Sequence, residues 1–280
     1  MILFKKAADI SSFLTKYAKN GVKTGFVPTM GALHQGHISL INESKRNCGI
    51  TVSSIFVNPT QFNDPKDFAK YPVTINSDID GLEKAGCDVL FLPDVKEMYP
   101  NGTTALPKYD LGYLETVLEG KYRPGHFQGV CQVVHRLLDI IKPDTLFLGQ
   151  KDFQQCMVIK KMIEITELPV ITSVCPTLRE PDGLAMSSRN MRLNSDERKK
   201  AALISQTLDY IKREIKPGYL GDLQERAVNY LTMEGFSVDY IEIADSNTLQ
   251  LQEYWDGNQS LVALAAAYLN EIRLIDNKLL

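Results

Sequence analysis

The chain has 280 residues, 44% of them hydrophobic and 23% charged, with a formal net charge of −3. That length provides one large or two modest domains with material for a sizeable core. The near-balanced charge argues against a broad basic surface for nucleic acid. Five cysteines (Cys48, Cys87, Cys131, Cys156, Cys175) are scattered and never spaced C-x-x-C. The pattern points to reduced, mostly buried thiols in a cytoplasm rather than disulfides or a zinc cluster. The opening "MILFKKAADI" is too short an apolar run for a signal peptide, and "LVALAAAYL" falls short of a bilayer span. The expectation is a soluble cytoplasmic protein that contacts neither membrane nor nucleic acid.

In chain order, the first element with a clear signature is the apolar run "KTGFVPT" ending near Pro28, a strand by composition. "TMGALHQGH" follows, with a helical pattern beginning near Gly36. A loop from a strand end into a helix amino terminus presents backbone N–H groups and a favourable dipole to an anion. Gly31 and Gly36 would let the backbone approach a phosphate, and imidazoles at His34 and His37 can donate to its oxygens. Two other readings stand beside this one. The pair can simply cap the helix, or bind a metal, although no Cys or acidic residue sits nearby to complete a metal site. The loop is neither a Walker motif nor G-x-G-x-x-G.

The next strand, within "ITVSSIFVNP", delivers Asn58 and Gln61 at its carboxyl end, flanked by Phe62 and Phe68 as an apolar wall. A polar substrate would meet the two amides there; a turn that packs its own aromatics is the plainer alternative. "CDVLFLPD" and "DTLFLGQ" are further buried strands. Between them "GHFQGVCQVVHRLLDIIKPD" carries Val130, Val134, Leu137 and Ile141 on one helical face, stopped by Pro143. After "DTLFLGQ" come Gly149 to let the chain turn, the ammonium of Lys151, and Asp152 opening a helix that places Gln155 one turn further in.

The texture changes near residue 176. "REPDGLAMSSRNMRL" sets Ser187, Ser188 and Arg189 after an Asp-Gly turn, a hydroxyl-and-cation cluster suited to phosphate but also compatible with an ordinary polar turn. "RLNSDERKKAALISQTLDYIKREI" reads as one long charged helix capped by Asn194 or Ser195. "LQERAVNYLTMEG" is a second helix, and "VDYIEIAD" and "SLVALAAAYLNEIRLID" are strands. Strand–helix alternation followed by this unit predicts an α/β chain. Residues 1–176 form a Rossmann-like, doubly wound parallel sheet, and residues 177–280 a smaller α+β C-terminal domain.

The blocks "VPTMGALHQGHISLI", "SIFVNPTQF", "YPNGT", "RPGHFQGV", "GQKDFQQ" and "DGLAMSSRN", in this order across almost the whole chain, resemble the pantothenate synthetase (pantoate–β-alanine ligase) family. The His-x-Gly-His element is similar to that of the wider nucleotidyltransferase group. The resemblance implies an ATP-dependent ligase that joins pantoate to β-alanine through a pantoyl adenylate. It implies that Met30, Gly31, Ala32, Leu33, His34, Gln35, Gly36 and His37 form the ATP loop, and that Gly149, Gln150, Lys151 and Asp152 hold ribose and phosphate. Met186, Ser187, Ser188 and Arg189 would close over the triphosphate, and Leu178 would offer backbone contacts to adenine. His34, His37, Lys151, Ser187, Ser188 and Arg189 would be the catalytic set, with Lys151 the main transition-state cation. Asn58, Gln61 and Gln155 would bind pantoate or β-alanine. Mg²⁺ would ride mainly on the phosphates with Asp78 as a candidate ligand, and a homodimer is the implied assembly. Val73 and Gln150 depart from residues common in the family, at positions outside the phosphate chemistry. Competing readings are a nucleotidyltransferase for a phosphorylated acceptor such as phosphopantetheine, a tRNA-charging enzyme, and a nucleotide-sensing module without chemistry.

Overall fold

The computed structural model describes residues 1–63 and 68–280. Its chain divides into two compact units, Met1–Gln150 with Gln154–Pro176, and Lys151–Phe153 with Thr177–Leu280.

The first unit is built on six parallel strands: β1 (Ile2–Phe4), β2 (Thr24–Thr29), β3 (Ile50–Ile55), β4 (Val89–Phe91), β5 (Thr145–Gly149) and β6 (Ile171–Cys175), in the order β1-β4-β3-β2-β5-β6. Successive strand residues point to opposite faces, and here each face has its own core. On β2, Phe26 enters one cluster and Val27 the other; on β4, Val89 and Phe91 oppose Leu90; on β5, Leu146 and Leu148 oppose Phe147. Helices α1 (Ala7–Lys19) and His126–Ile141 cover one face, and α2 (Gln35–Asn47) and Ile75–Lys84 cover the other. Gly25 makes that packing possible, because a Cβ there would lie 2.2 Å from Ser44 Oγ of α2.

Strand order fixes where a ligand can sit. From β2 the chain runs outward through β3 and β4, then returns to place β5 on the other side of β2. The carboxyl ends of β2 and β5 therefore flank the point where the winding reverses, the usual ligand crevice of an open parallel sheet. Met30 follows β2 and Gln150 follows β5.

The second unit carries a three-stranded antiparallel sheet, ordered Ile272–Leu279, Leu261–Leu269, Ser237–Asp245, and a two-stranded ribbon of Gly218–Tyr219 with Tyr254–Trp255. The run read as "SLVALAAAYLNEIRLID" is two strands, broken where Asn270 adopts φ +51°. The single long helix expected after Asn194 is two, Ser195–Ala201 and Leu203–Glu214. Asn194 is the cap, accepting from the amides of Asp196 and Glu197, while Glu197 reaches back to the Asn194 amide. Among the described residues no helix is long and apolar enough to cross a membrane.

Candidate functional site

The loop after β2 is held by a carboxylate of its own chain. Asp78, buried in the helix Ile75–Lys84, accepts from the Ala32 amide at 2.9 Å and the Leu33 amide at 2.8 Å, and from Thr74 Oγ1 at 3.1 Å. Gly31 donates to Thr29 Oγ1, which in turn donates to the Ser54 carbonyl. Gly31 and Ala32 both have positive φ, +82° and +49°. A Cβ on Gly31 would sit 3.0 Å from Asp78 Oδ2, so glycine is required twice over. The Ala32 and Leu33 amides are thus taken up by the Asp78 carboxyl oxygens, and the Gly31 amide by Thr29.

The two histidines follow directly on this anchored segment. His34 is the N-cap of α2: its Nδ1 accepts from the Gly36 amide at 3.1 Å, and His37 Nδ1 accepts from the His34 amide at 3.3 Å. The two rings lie 4.1 Å apart. The pair does cap the helix, and in doing so fixes its own chemistry. Backbone N–H groups only donate, so both Nδ1 atoms are unprotonated acceptors and each neutral ring carries its proton on Nε2. Gln35, Gly36 and His37 form the first turn, so the spacing around glycine is the geometry of a reciprocal cap.

Asn58 and Gln61 have different tasks. Asn58 is almost wholly buried. Its Nδ2 donates to the Gly129 carbonyl (3.1 Å) and to Gln61 Oε1 (3.2 Å), and its Oδ1 accepts from Tyr99 Oη (2.8 Å), the Thr60 amide (3.3 Å) and Thr60 Oγ1 (3.1 Å). Burial pushes the Tyr99 phenol up, keeping it a donor. With its hydrogen-bonding capacity used inside the protein, Asn58 frames Gln61. Gln61 is turned so that Nε2 points away from Asn58 and donates to Met30 Sδ at 3.0 Å. His126 supports the same turn, donating from Nδ1 to the Gln61 carbonyl at 2.8 Å. Phe62 packs edge-on against Phe68 and Tyr71, at 5.2 and 5.7 Å between ring centroids.

Gly129 explains how the helix His126–Ile141 comes so close. A Cβ there would lie 2.4 Å from the Thr60 carbonyl oxygen and 2.7 Å from Gln61 Cα, backbone atoms that cannot step aside. Gly129→Ala should cost about 2 kcal/mol through overpacking and displace the Gln61 turn. An unshifted unfolding midpoint would contradict this packing.

At the end of β5, Gly149 has no neighbour within 4 Å of a Cβ position and no positive φ, so neither packing nor conformation demands glycine there. Gln150, Lys151 and Asp152 form a single 3-10 turn leading into the helix Phe153–Ile165. Gln154 is buried structure, accepting from the Glu119 amide and donating to the Leu114 and Val117 carbonyls. Gln155 is half-buried and makes no side-chain hydrogen bond among the described residues.

In the second unit, residues 178–186 form a short hairpin. Met186 donates to the Leu178 carbonyl at 3.0 Å, Arg179 bridges Ala185, and Glu180 donates to the Leu184 carbonyl. The hairpin delivers Ser187 as N-cap of the 3-10 turn Ser188–Arg192, its Oγ accepting from the Arg189 amide at 3.3 Å. The hairpin's base is pinned: Arg179 grips Asp276 with two bonds of 2.7 and 3.0 Å and also donates to Gly183 O, Ser205 Oγ and Asn277 O. Lys151 belongs to this same unit; its carbonyl accepts from Asn277 Nδ2 at 2.9 Å, and its ammonium lies 3.8 Å from Asp152.

The profile of the family described as pantoate-beta-alanine ligase matches residues 2–279. The chain belongs to the pantoate–β-alanine ligase family. It is 43% identical over 279 residues to the pantothenate synthetase of Porphyromonas gingivalis, covering 99% of this chain and 98% of that one. It is 44% identical over 281 residues to that of Cytophaga hutchinsonii, covering 99% and 98%. The Thermus thermophilus pantothenate synthetase superposes with a TM-score of 0.90 at 36% identity, covering 99% of each chain. A Francisella tularensis pantoate-beta-alanine ligase, solved with beta-gamma ATP and beta-alanine, gives 0.82 at 39% identity, covering 100% and 97%. The ligase class expected from the motifs is that of the family, and the six-stranded parallel sheet with an antiparallel C-terminal sheet is its fold. Sequence reasoning passed over Tyr99, His126, Gly129, Arg179, Asp276 and Asn277. "YPNGT" and "RPGHFQGV" were visible as blocks, but nothing in them says that they frame Gln61.

Proposed function

We propose that this chain condenses (R)-pantoate with β-alanine using ATP, through a pantoyl adenylate. A pantoate carboxylate oxygen attacks the α-phosphorus of ATP, forming a P–O bond as the bond to the β-phosphate oxygen breaks and pyrophosphate leaves. The amine of β-alanine then attacks the acyl carbon, the C–O bond to AMP breaks, and the amine's proton departs as AMP is released. No protein nucleophile is required, so catalysis is positioning and charge stabilisation.

The observation that carries this reading is the 3.0 Å contact between Gln61 Nε2 and Met30 Sδ, which sets an amide suited to a hydroxy acid against the histidine loop. A ligase that activates an acid on a nucleotide needs those two functions side by side. Gln61 and Gln155 would hold the hydroxyls of pantoate, with the Phe62 cluster beside its gem-dimethyl group. His34 and His37 would donate from Nε2 to phosphate oxygens, and the residues from Met30 to His37 would line the nucleotide. Gly149 and Gln150 would lie along the ribose, where an open Cβ position suits close approach. Lys151 and Arg189 would supply permanent charge to the phosphates, Ser187 and Ser188 hydroxyl donors, and Leu178 backbone contact with adenine.

Magnesium enters as part of MgATP. The described residues gather no group of three or more His, Cys, Asp or Glu that could hold a metal, and Asp78 already accepts three hydrogen bonds. The phosphates and water would supply its ligands. The proposed homodimer has one support in the fold: β1 is an open sheet edge with Ile2 and Leu3 exposed. A solution mass of one chain would remove it.

The deciding experiment is ATP–pyrophosphate isotope exchange with Mg²⁺ and pantoate, without β-alanine. Exchange that depends on pantoate is the expected result, and adding β-alanine should then release AMP and pantothenate. Absence of exchange in folded, ATP-binding protein would defeat the adenylate route, and phosphopantetheine would be the next acceptor to try.

A further inference from the structure

Two adjacent buried polar residues, Asp276 and Asn277, sit in the edge strand Ile272–Leu279, only 5% and 2% exposed. Successive strand residues point to opposite faces, so each must find its own partners or leave a desolvated polar group. Their partners lie far away in sequence. Asp276 holds the Arg179 guanidinium with both oxygens, and the same Arg179 donates to the Gly183 carbonyl inside the hairpin that leads to Met186–Arg189. Asp276 Oδ1 also accepts the Asn277 amide at 2.7 Å. The Asn277 carbonyl takes a further bond from Arg179 at 3.2 Å, and its Nδ2 donates to the Lys151 carbonyl at 2.9 Å.

We infer that the Asp276–Asn277 dipeptide is a positioning element that sets Lys151 and the Ser187–Arg189 segment in fixed register with each other. Asn277 acts on the chemistry through Lys151. The physical need is plain. Residues 150–152 are a single 3-10 turn, and among the described residues the Lys151 ammonium has only the loose 3.8 Å contact with Asp152 to direct it. Where that charge sits is then decided by where the Lys151 backbone is held, and Asn277 holds it. Misplacing a charge-stabilising group by about an ångström can cost roughly a hundredfold in rate without affecting ground-state binding elsewhere.

This inference rests on the proposed role of Lys151, and the experiment separates the two. Lys151→Ala, Asn277→Ala and the double variant are compared by pantoate-dependent exchange, with thermal unfolding as the control for folding. Asn277→Ala should lower kcat by about 10–100-fold with the KM for pantoate within about 2-fold of the parent, because Gln61 and Gln155 are untouched. In the Lys151→Ala background the same substitution should change the rate by less than about 3-fold, since its effect passes through a side chain already gone. Independent, multiplying effects, or an Asn277→Ala enzyme at full rate, would overturn the inference while leaving Lys151 in place. A Lys151→Ala enzyme at full rate would instead remove Lys151 from the proposed mechanism. If Asn277→Ala does not fold, Asn277→Ser keeps a hydroxyl in the strand but withdraws the donor from the Lys151 carbonyl, and it carries the same cycle with the same readings.

Discussion

His37→Ala should cut pantoate-dependent exchange by about 10²–10³-fold, the usual loss when one preorganised donor to a developing charge is removed. It should also cost about 1 kcal/mol of stability, because its Nδ1 caps the His34 amide. These two effects come from opposite sides of one ring and can be separated. His37→Asn retains a short side-chain acceptor for the cap, while it cannot place a donor where Nε2–H stood. The asparagine variant should therefore recover most of the lost stability and little of the activity. Full recovery of activity by His37→Asn would reduce His37 to a helix cap, the plainer of the readings its sequence position allowed. A direct view is also available from imidazole nitrogen shifts, which should report both His34 and His37 as neutral Nε2–H tautomers in the free enzyme. A proton resident on either Nδ1 would contradict the reciprocal cap.

The parts of this protein that could be read from sequence are those where one local signal decides the outcome. Val89–Phe91 and Thr145–Gly149 are short apolar runs because they are covered on both faces, and such runs announce themselves. β6, "ITSVC", lies at the sheet edge with Ser and Thr among its residues and Ile171 largely exposed, so its composition is that of any half-polar segment. The break between Ala201 and Leu203 has no Gly or Pro to mark it, and Ala202 keeps helical angles, so an unbroken helix was the natural reading. In the site, His34 and His37 were legible because their spacing is local. Asn58 was visible as an amide at a strand end, but an amide that binds substrate and one that frames its neighbour look alike until the carbonyl of Gly129, 71 residues away, is seen to accept its N–H. The pairing of Arg179 with Asp276 spans 97 positions and leaves no local pattern at either end.

Asp78→Ala should be among the most damaging single changes available outside the histidines. It leaves the Ala32 and Leu33 amides without their acceptor, in a segment where Ala32 is buried and held at φ +49°. An orphaned buried donor costs about 1–3 kcal/mol, and Ala32, a non-glycine residue in the left-handed region, loses the contact that holds it there. A loss of about 3 kcal/mol in unfolding free energy is expected, together with a fall in exchange activity comparable to that of His37→Ala, because the loop that sets the cap at His34 is no longer anchored. Asp78→Asn is the sharper test. It keeps the shape, but one of the two oxygens becomes an NH₂ facing an N–H, so about half the stability loss should remain. Added Mg²⁺ should restore neither variant. A rate that returns as magnesium is raised would assign Asp78 to the metal and not to the loop, and an Asp78→Ala protein with an unshifted unfolding midpoint would show that the loop stands without it. The Ala32 and Leu33 amides that the sequence offers to a phosphate are taken up by the chain's own Asp78, which anchors the segment leading into the His34–His37 cap.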